Sequence, residues 1–288
     1  MKCATSTLHV QLAQQPGFAM SEPKEPNYFS DDEVFARGLN WYHSVFSAGK
    51  HRGESSTHYT KLPTHPHTIR RLYRELGKDL KFIYIMRHPV DRLVSHYIHE
   101  WSQGVISEPI DVAIHSHEPL IDYGSYARQL RPWLETFGPE RVLPVFFDSI
   151  AERPQYELER VCRFLEYRGK PTWIAEKGRQ NVSRERIRRS WLDVLGSVGP
   201  LVWFVRRLVP ERNRAWARSF RQMKMRPTLA QSDRIALEAM FDKDLADLGE
   251  WLGIPLSCST FHDLALGAEP EWTDSAPRPL ELTHVATG

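Results

Sequence analysis

The chain has 288 residues, of which 41% are hydrophobic, so one or two domains with a proper apolar core are expected. Its 38 lysines and arginines nearly balance 36 acids, and no zinc-finger, recognition-helix or aromatic RNA-binding signature occurs, which disfavours a nucleic-acid-binding protein. Three widely separated cysteines do not suit a disulfide framework. Because no run approaches about 18 apolar residues and no signal peptide opens the sequence, we expect a cytoplasmic protein, unless a lost N-terminal segment carries a targeting signal.

The chain begins with KCATST, residues 2–7, and a helical pattern follows over residues 8–15. Small residues let backbone N–H groups approach a phosphate, and hydroxyl groups with a lysine complete such a cradle. The segment is not a Walker A motif, since no G-x-x-x-x-G-K-[ST] is present. A lysine near a terminus is usually solvated surface. Together with a second phosphate-binding element, however, a phosphate loop becomes the better hypothesis.

That second element lies at residues 82–97. The apolar run FIYIM, residues 82–86, has no periodicity and predicts a strand buried on both faces. Arg87 follows it, and the His-Pro pair together with helical spacing predicts a helix that begins close to Pro89. A cation at the carboxyl end of a buried parallel strand, facing a helix N-terminus, is where open α/β sheets bind phosphates. The segment therefore predicts an anionic nucleotide as ligand.

The rest of the chain alternates helices and strands, which favours an α/β fold. Helices are predicted over 31–48, 66–77, 125–137, 154–167 and 229–252, and a second strand over 142–147. Residues 1–253 are predicted to form a single domain. Residues 254–288 are predicted to be a partly disordered C-terminal tail with little order beyond Gly267, because it contains Pro, Ser and Thr and lacks periodicity.

Positive charge is concentrated in the C-terminal half. Residues 177–226 hold 14 lysines and arginines against three acids, and 186–226 is predicted to be a basic helical segment. A solvated helix face is the commonest cause of such a run. Contact with the nucleotide, with an acidic glycan or with an anionic membrane are the functional alternatives. Aromatics mixed with arginines over 199–226 suit a helix that makes peripheral contact with a membrane.

These segments together resemble the sulfotransferases that use 3′-phosphoadenosine-5′-phosphosulfate (PAPS), in particular the heparan-sulfate-type carbohydrate branch. Residues 2–7 resemble the family's 5′-phosphosulfate loop, and Arg87 with Ser95, eight residues apart, resembles its 3′-phosphate motif. Other segments that resemble this branch are KEPNYFSDD (24–32), GLNWYHSVF (38–46), GESSTHY (53–59) and the helix-then-strand stretch 124–150. The resemblance covers residues 1–190. It implies a P-loop-NTPase-like three-layer α/β fold with a central, mainly parallel sheet flanked by helices.

The resemblance implies transfer of a sulfuryl group from PAPS, as co-substrate, to a hydroxyl or amine acceptor, a carbohydrate among the candidates. Lys2 would stabilise the charge that develops on the bridging oxygen, and Glu25 would be the general base. The residues implied in nucleotide binding are Lys2, Ala4, Thr5, Ser6 and Thr7 at the 5′-phosphate, Arg87 and Ser95 at the 3′-phosphate, and Lys177, Gly178 and Arg179 in a segment that closes over PAPS. No metal is predicted.

Three features depart from the family. It normally has a buried strand that runs into the phosphosulfate loop, whereas only Met1 precedes Lys2. We hypothesise that the start codon is misassigned or the chain truncated, because the sheet would otherwise lack a central strand. Ser55 stands where many relatives have a lysine near the reacting sulfate, and Asn27 where the heparan-sulfate enzymes often have a histidine. Substrate placement is therefore expected to differ.

Other interpretations stay open. Glu25 could serve only in a salt bridge with a neighbouring cation, and a histidine such as His88, His96 or His99 could be the base. The chain could be a P-loop-like kinase that uses ATP, although it lacks a Walker A lysine context and an obvious Mg²⁺-binding carboxylate. It could also be a non-catalytic or truncated nucleotide-binding relative.

Overall fold

A computed structural model describes residues 2–177, 226–267 and 269–279, and these form an α/β structure in which the strands are parallel. The strands are β1 (Phe18–Met20), β2 (His51–Gly53), β3 (Phe82–Met86) and β4 (Val142–Phe146). The helices are α1 (Thr5–Ala13), α2 (Asp32–Phe35), α3 (Leu39–Ser44), α4 (Thr68–Leu76), α5 (Pro89–Gln103), α6 (Ile110–Ser116), α7 (Pro119–Asp122), α8 (Tyr126–Phe137), α9 (Phe147–Glu152), α10 (Pro154–Phe164), α11 (Gln231–Leu252) and α12 (Phe261–Gly267). Among these residues, β1 pairs with β2 and β3 pairs with β4.

The β3–β4 pair lies between two layers of helices. It is in register from Phe82 opposite Val142 to Met86 opposite Phe146. Met86, Val142 and Phe146 belong to an apolar cluster with α5, α8 and α11, whereas Val145 belongs to a second cluster with α1 and α10. Successive strand side chains point to opposite faces, so an apolar run without periodicity fits a strand that packs on both sides. The predicted strand 82–86 is confirmed, but it is less buried than expected, because residues 82–85 keep partial exposure and only Met86 is fully buried.

Helix ends follow the local signals in the sequence. Pro89 occupies the first turn of α5, where its missing N–H and fixed φ cost nothing. That helix ends at Gly104, and α11 ends at Gly253, both in the left-handed conformation that glycine adopts without a steric penalty. The long helix predicted over 229–252 is therefore confirmed to within two residues.

The helix predicted over 31–48 is in fact two short helices. The side chain of Asp31 accepts a hydrogen bond from the backbone N–H of Val34 at 3.0 Å and caps α2. Gly38, with φ of 81°, then interrupts the helical path before α3 begins. The apolar spacing continues across this break, which is why the periodicity suggested one element.

A cavity of about 600 Å³ separates the two pairs of strands. Its apolar wall combines residues of α1, α4, α8, β1 and β3, among them Leu8, Leu72, Leu130, Phe18 and Ile85. Within the described residues, β1 and β3 each pair along one edge only, and residues 82–85 are partly exposed although they are apolar. An apolar strand that faces an open space on one edge is unusual. The hypothesis that a strand precedes Lys2 stays a prediction.

The tail beyond Gly267 differs from expectation over residues 269–279, which pack against the domain. The indole N–H of Trp272 donates to the carbonyl of Val142 at 2.6 Å, and the N–H of Thr273 donates to the carbonyl of Trp251 at 2.8 Å. Ala276 is buried in the main apolar cluster. The expectation failed here because a short irregular segment can be ordered by its contacts, which composition does not reveal.

The predicted basic segment 186–226 and the membrane-contacting stretch 199–226 lie outside the described residues except for Arg226. Both therefore stay predictions. None of the helices in 2–177, 226–267 and 269–279 combines the length and the apolar character that crossing a bilayer requires.

Candidate functional site

The predicted phosphate loop leads directly into the N-terminus of α1. Lys2 and Ala4 both have φ of 65°, a region that residues other than glycine rarely adopt. Ala4 is the N-cap, it provides no side-chain cap, and the first turn of α1 contains no acidic residue. The positive end of the helix dipole is therefore not neutralised by these groups, and Thr5, Ser6 and Thr7 form a turn suited to an anion.

Arg87 meets this loop although 85 positions of sequence separate it from Lys2. It follows β3 directly, and its guanidinium Nη1 donates to the backbone carbonyl of Lys2 at 3.5 Å. The hydroxyl of Tyr126 accepts from the backbone N–H of Arg87 at 3.1 Å and donates to its carbonyl at 2.6 Å, while the guanidinium lies 4.6 Å from the centre of the Phe147 ring. The two elements that the sequence predicts to bind phosphate thus lie side by side.

The other nucleotide-binding candidates lie on other parts of the chain. Ser95 lies two turns into α5 and is 3% exposed. Lys177 is exposed, and its ammonium donates to the side chain of Gln14 at 2.6 Å, at the opposite end of α1 from the phosphate loop. Gly178 and Arg179 lie outside the described residues. The roles of these four residues in nucleotide binding stay predictions.

Glu25 lies in a polar cluster built from two segments of the chain. The ammonium of Lys24 lies 2.5 Å from its Oε1, and the hydroxyl of Thr57 donates to its Oε2 at 3.0 Å. Burial raises the pKa of the Glu25 carboxyl, but Lys24, Thr57 and His58 together outweigh that effect and hold the pKa below its ordinary value. Glu25 is therefore an anion at neutral pH, as a general base must be.

His9, on α1, connects the phosphate-loop helix to this cluster. Its Nδ1 lies 3.0 Å from the hydroxyl of Ser55, and the backbone carbonyl of Ser55 accepts a hydrogen bond from Lys24 at 3.4 Å. Burial and the charge of Lys24 lower the pKa of His9 to about 4, although Glu25 acts in the opposite direction. His9 is therefore neutral at pH 7 and adds no charge to the site.

A second glutamate, Glu54, stabilises the cluster through hydrogen bonds with three hydroxyl groups. Its Oε1 accepts hydrogen bonds from Tyr42 at 2.9 Å and Tyr59 at 2.8 Å, and its Oε2 accepts one from Ser56 at 2.5 Å. The Ser56 hydroxyl in turn accepts from the backbone N–H of Asn27 at 3.0 Å. Burial raises the pKa of Glu54, and the three hydroxyl groups partly offset this. Glu54 thereby ties residues 54–59 to the segment that carries Glu25.

The histidines proposed as alternative bases have other partners. His96 is buried, its Nε2 lies 3.3 Å from Glu100, and burial lowers its pKa to about 4. The Nε2 of His88 lies 3.1 Å from the carbonyl of Cys258. The histidine that contacts the Glu25 cluster through a hydrogen bond is His9, which the sequence did not single out.

Within the described residues, one cluster of three potential metal ligands occurs, formed by His88, Asp91 and His262 with ligand atoms within 4.8 Å of one another. The two imidazole rings are stacked 5.0 Å apart and only 6° from parallel. Both histidines also have protein partners, since Nε2 of His88 lies 3.1 Å from the carbonyl oxygen of Cys258 and Nδ1 of His262 lies 3.0 Å from Oδ2 of Asp148. The absence of a metal stays a prediction.

Sequence reasoning missed four residues of this cluster: Lys24, His9, Glu54 and Thr57. Lys24 stands directly before the predicted base, and Glu54 and Thr57 stand in the segment 53–59 that drew attention for its resemblance. These three could have been found by asking what would neutralise or orient Glu25. His9 carries no local signal, because its partner Ser55 is 46 positions away.

The fold has a counterpart among solved structures. The crystal structure of a sulfotransferase from Alicyclobacillus acidocaldarius is similar to this chain with a TM-score of 0.60, over 88% of this chain and 93% of that one. The two share 22% sequence identity, so the likeness concerns the fold. It confirms the α/β fold class expected from the sequence.

Curated relatives match up to about half of the chain. Heparan sulfate glucosamine 3-O-sulfotransferase 3B1 of Mus musculus is 28% identical over 153 residues, which cover 49% of this chain and 38% of the relative. Heparan sulfate glucosamine 3-O-sulfotransferase 6 of Homo sapiens is 29% identical over 152 residues, or 49% of this chain and 43% of the relative. The membrane-associated sulfotransferase kil1 of Dictyostelium discoideum is 32% identical over 129 residues, or 42% and 26%.

The chain thus matches less than half the length of these curated relatives. The sulfotransferase domain family as a whole matches residues 2–189, which hold the phosphate loop, Arg87 and the Glu25 cluster. Since this match extends over more than half of the 288 residues, the chain belongs to the sulfotransferase domain family.

Proposed function

We propose that this protein transfers the sulfuryl group of PAPS to a hydroxyl or amine acceptor. The observation that carries the proposal is the contact between Arg87 and the backbone of Lys2, because it joins a cation at the end of β3 to the anion-binding N-terminus of α1. PAPS carries a phosphate on both the 3′ and the 5′ side of its ribose. Two adjacent phosphate-binding elements suit such a ligand better than a single phosphate loop does.

The reaction proposed for this site is an in-line displacement that the protein promotes by positioning and charge neutralisation. Ala4, Thr5, Ser6 and Thr7 would hold the 5′-phosphate through their N–H and hydroxyl groups. Arg87, with Ser95, would hold the 3′-phosphate. Lys2 would stabilise the negative charge that grows on the bridging oxygen as the nucleotide leaves. The segment that would close over the nucleotide contains Lys177, Gly178 and Arg179.

Glu25 is the proposed general base. Its carboxylate is ionised at neutral pH because Lys24, Thr57 and His58 lower its pKa against the effect of burial. A base must hold the proton of the attacking hydroxyl or amine only while the new S–O or S–N bond forms. A carboxylate with one ammonium neighbour, in a partly exposed cluster, can accept that proton and release it to water.

A carbohydrate is the acceptor class that the relatives favour, since two of them are named as heparan sulfate glucosamine 3-O-sulfotransferases. Ser55 and Asn27 depart from that branch and lie in the Glu25 cluster, which favours a different placement of the acceptor. The proposal includes no metal and no nucleic acid. The cytoplasmic location and the contact with an anionic membrane through 199–226 stay predictions from the sequence.

Thermal denaturation with added nucleotides tests the proposed donor. We expect 3′,5′-ADP, the product that PAPS leaves, to raise the melting temperature much more than ATP does, because a ligand that binds only the folded state stabilises it. A larger effect of ATP would favour the kinase alternative. Transfer of label from PAPS to a panel of sugar, phenol and amine acceptors then tests catalysis. Stabilisation by 3′,5′-ADP without any transfer would indicate a non-catalytic relative.

A further inference from the structure

Lys24 occupies a position between the proposed base and the segment at residues 55–57. Its ammonium lies 2.5 Å from Oε1 of Glu25 and donates to the carbonyl of Ser55 at 3.4 Å. The side chain retains 24% of its exposure, so the ammonium is neither fully solvated nor sealed. A lysine held in this way can exchange one acceptor for another without leaving its place, because its three donors rotate freely.

The first turn of α1 and the segment at residues 55–57 line the cavity between the two strand pairs. Thr5, in the first turn of α1, lines one continuous cavity together with Ser55 and Thr57. His9, one turn further along α1, lies 3.0 Å from the hydroxyl of Ser55. Through His9 and Ser55, the helix that begins at the phosphate loop is therefore linked to the segment whose backbone carbonyl accepts a hydrogen bond from Lys24.

Lys24 is the cation that contacts Glu25 directly, and the other groups of the cluster next to Ser55 carry no positive charge. Position 55 is a serine, and His9 is neutral at pH 7 because burial and Lys24 lower its pKa to about 4. Lys24 is the cation that contacts both Glu25 and the 55–57 segment. A sulfuryl group in PAPS carries a full negative charge on three acceptor oxygens, which makes it a natural ligand for an ammonium.

We propose that the Lys24 ammonium binds the sulfonate oxygens of the donor. It pairs with Glu25 when the site is empty and shifts toward the sulfonate when the donor binds, which weakens its hold on the Glu25 carboxylate. This inference rests on the proposed function and adds to it a residue that contacts the transferred group. In the free protein Lys24 pairs with Glu25. With PAPS bound, the ammonium is shared with the sulfonate, and the carboxylate becomes a stronger proton acceptor at the stage when an acceptor must be deprotonated.

The step balances without any proton transfer to or from Lys24. The acceptor oxygen or nitrogen forms a bond to sulfur and gives its proton to Glu25. The bond between sulfur and the bridging oxygen breaks, and its electron pair stays on the 5′-phosphate of the departing 3′,5′-ADP, next to Lys2. Lys24 remains protonated throughout and moves with the sulfonate charge.

Two nucleotides that differ only in the sulfuryl group provide the test. Calorimetric titration gives the affinities of PAPS and 3′,5′-ADP, without acceptor, for the wild-type protein and for Lys24→Ala. We expect the substitution to weaken PAPS by about tenfold or more, the range for a hydrogen bond between charged groups, while 3′,5′-ADP changes by less than about twofold. Lys78→Ala, which removes an exposed lysine after α4, is the matched control and should change neither affinity.

A lysine supplied from position 55 provides an independent check. Because the carbonyl of Ser55 already contacts the Lys24 ammonium, the double variant Lys24→Ala with Ser55→Lys should recover most of the lost preference for PAPS over 3′,5′-ADP. Equal weakening of both nucleotides in Lys24→Ala, or an unchanged preference for PAPS, would overturn the proposal. If wild-type protein bound neither nucleotide, the proposed function itself would fail, which is a different result.

The pH dependence of transfer gives a second readout. The groups that act on Glu25 from its surroundings are Lys24, Thr57, His58, His9, Lys61 and Glu54. Removing Lys24 leaves burial as the largest influence and raises the pKa of Glu25. The ascending limb of kcat/KM should therefore move to higher pH in Lys24→Ala and stay in place in Lys78→Ala. An unmoved limb in Lys24→Ala would contradict the shared role of this lysine.

Discussion

Replacing Glu54 tests how much its hydrogen bonds, in the segment next to Glu25, contribute to the stability of the fold. This carboxylate accepts hydrogen bonds from Tyr42, Tyr59 and Ser56, and Ser56 holds the backbone of Asn27. Glu54→Ala would remove the acceptor of all three hydroxyl groups at once. Glu54→Gln would keep a carbonyl oxygen for the two tyrosines and change only the bond with Ser56, whose hydroxyl can instead accept from the amide.

The size of the effect follows from these bonds. Each contributes about 1 kcal/mol net, so Glu54→Ala should lower the free energy of unfolding by about 3 kcal/mol, and by up to about 5 kcal/mol with the lost packing. Glu54→Gln should cost about 1 kcal/mol near pH 7.5, since one bond is changed. The difference in unfolding free energy between Glu54→Ala and Glu54→Gln measures the hydrogen bonds and packing that glutamine retains and alanine loses.

Acidification should change the stability of the wild-type protein and of Glu54→Gln differently. Burial raises the pKa of Glu54 above the ordinary value of 4.5, so the folded state binds more protons than the unfolded state between these two pKa values. The contribution of Glu54 to stability therefore rises as pH falls through its folded pKa toward 4.5, and Glu54→Gln lacks this term. The stability lost in Glu54→Gln should consequently be larger at pH 5 than at pH 7.5.

Urea unfolding of the wild-type protein and both variants, followed by circular dichroism at the two pH values, measures these differences. A loss below about 1 kcal/mol in Glu54→Ala would refute the reasoning, since three buried hydroxyl groups would then have found other acceptors without cost. A loss in Glu54→Gln that does not depend on pH would show that the carboxyl is not protonated more readily in the folded state.

Three further outcomes are expected. Glu25→Gln should abolish sulfuryl transfer while the affinity for 3′,5′-ADP stays within about twofold. The control Glu33→Gln, at an exposed glutamate, should change neither activity nor affinity. Normal turnover in Glu25→Gln would exclude Glu25 as the base. Arg87→Gln should weaken 3′,5′-ADP about tenfold to a hundredfold but leave 5′-AMP nearly unchanged, and equal losses for both would place Arg87 away from the 3′-phosphate. Trp272→Phe should lower stability by about 1 kcal/mol through loss of the bond to Val142, measured by urea unfolding, and an unchanged midpoint would contradict that packing.

Local signals in the sequence were enough for several elements. The strand at 82–86 was predicted from an unbroken apolar run, and the start of α5 from Pro89 and the helical spacing after it. The same reasoning merged α2 and α3 into one helix, because apolar periodicity continues past Gly38 while the backbone turns there. Strands β1 and β2 were missed because three residues are too few for a periodic pattern.

The site was predictable where its residues share an edge of the fold. The loop at residues 2–7 and Arg87 were predicted to bind two phosphates of one nucleotide, and Arg87 does contact the backbone carbonyl of Lys2. The position of Lys177 beside Gln14 did not follow from its resemblance, since a three-residue motif carries no information about which end of α1 it approaches.

The resemblance to the family led to the choice of Glu25 as candidate base. The sequence by itself determined the α/β class, the strand that ends just before Arg87 and the loop at residues 2–7. These are properties of short segments, where apolar runs, turn residues and spacing act on the chain directly. Tertiary structure alone decided that Lys24 lies between Glu25 and Ser55, that His9 contacts Ser55, and that Glu54 gathers three hydroxyl groups. The contacts of Ser55 with Lys24 and with His9 join residues 31 and 46 positions apart. Packing of α1 and the two strand pairs brings them together, which no local pattern encodes.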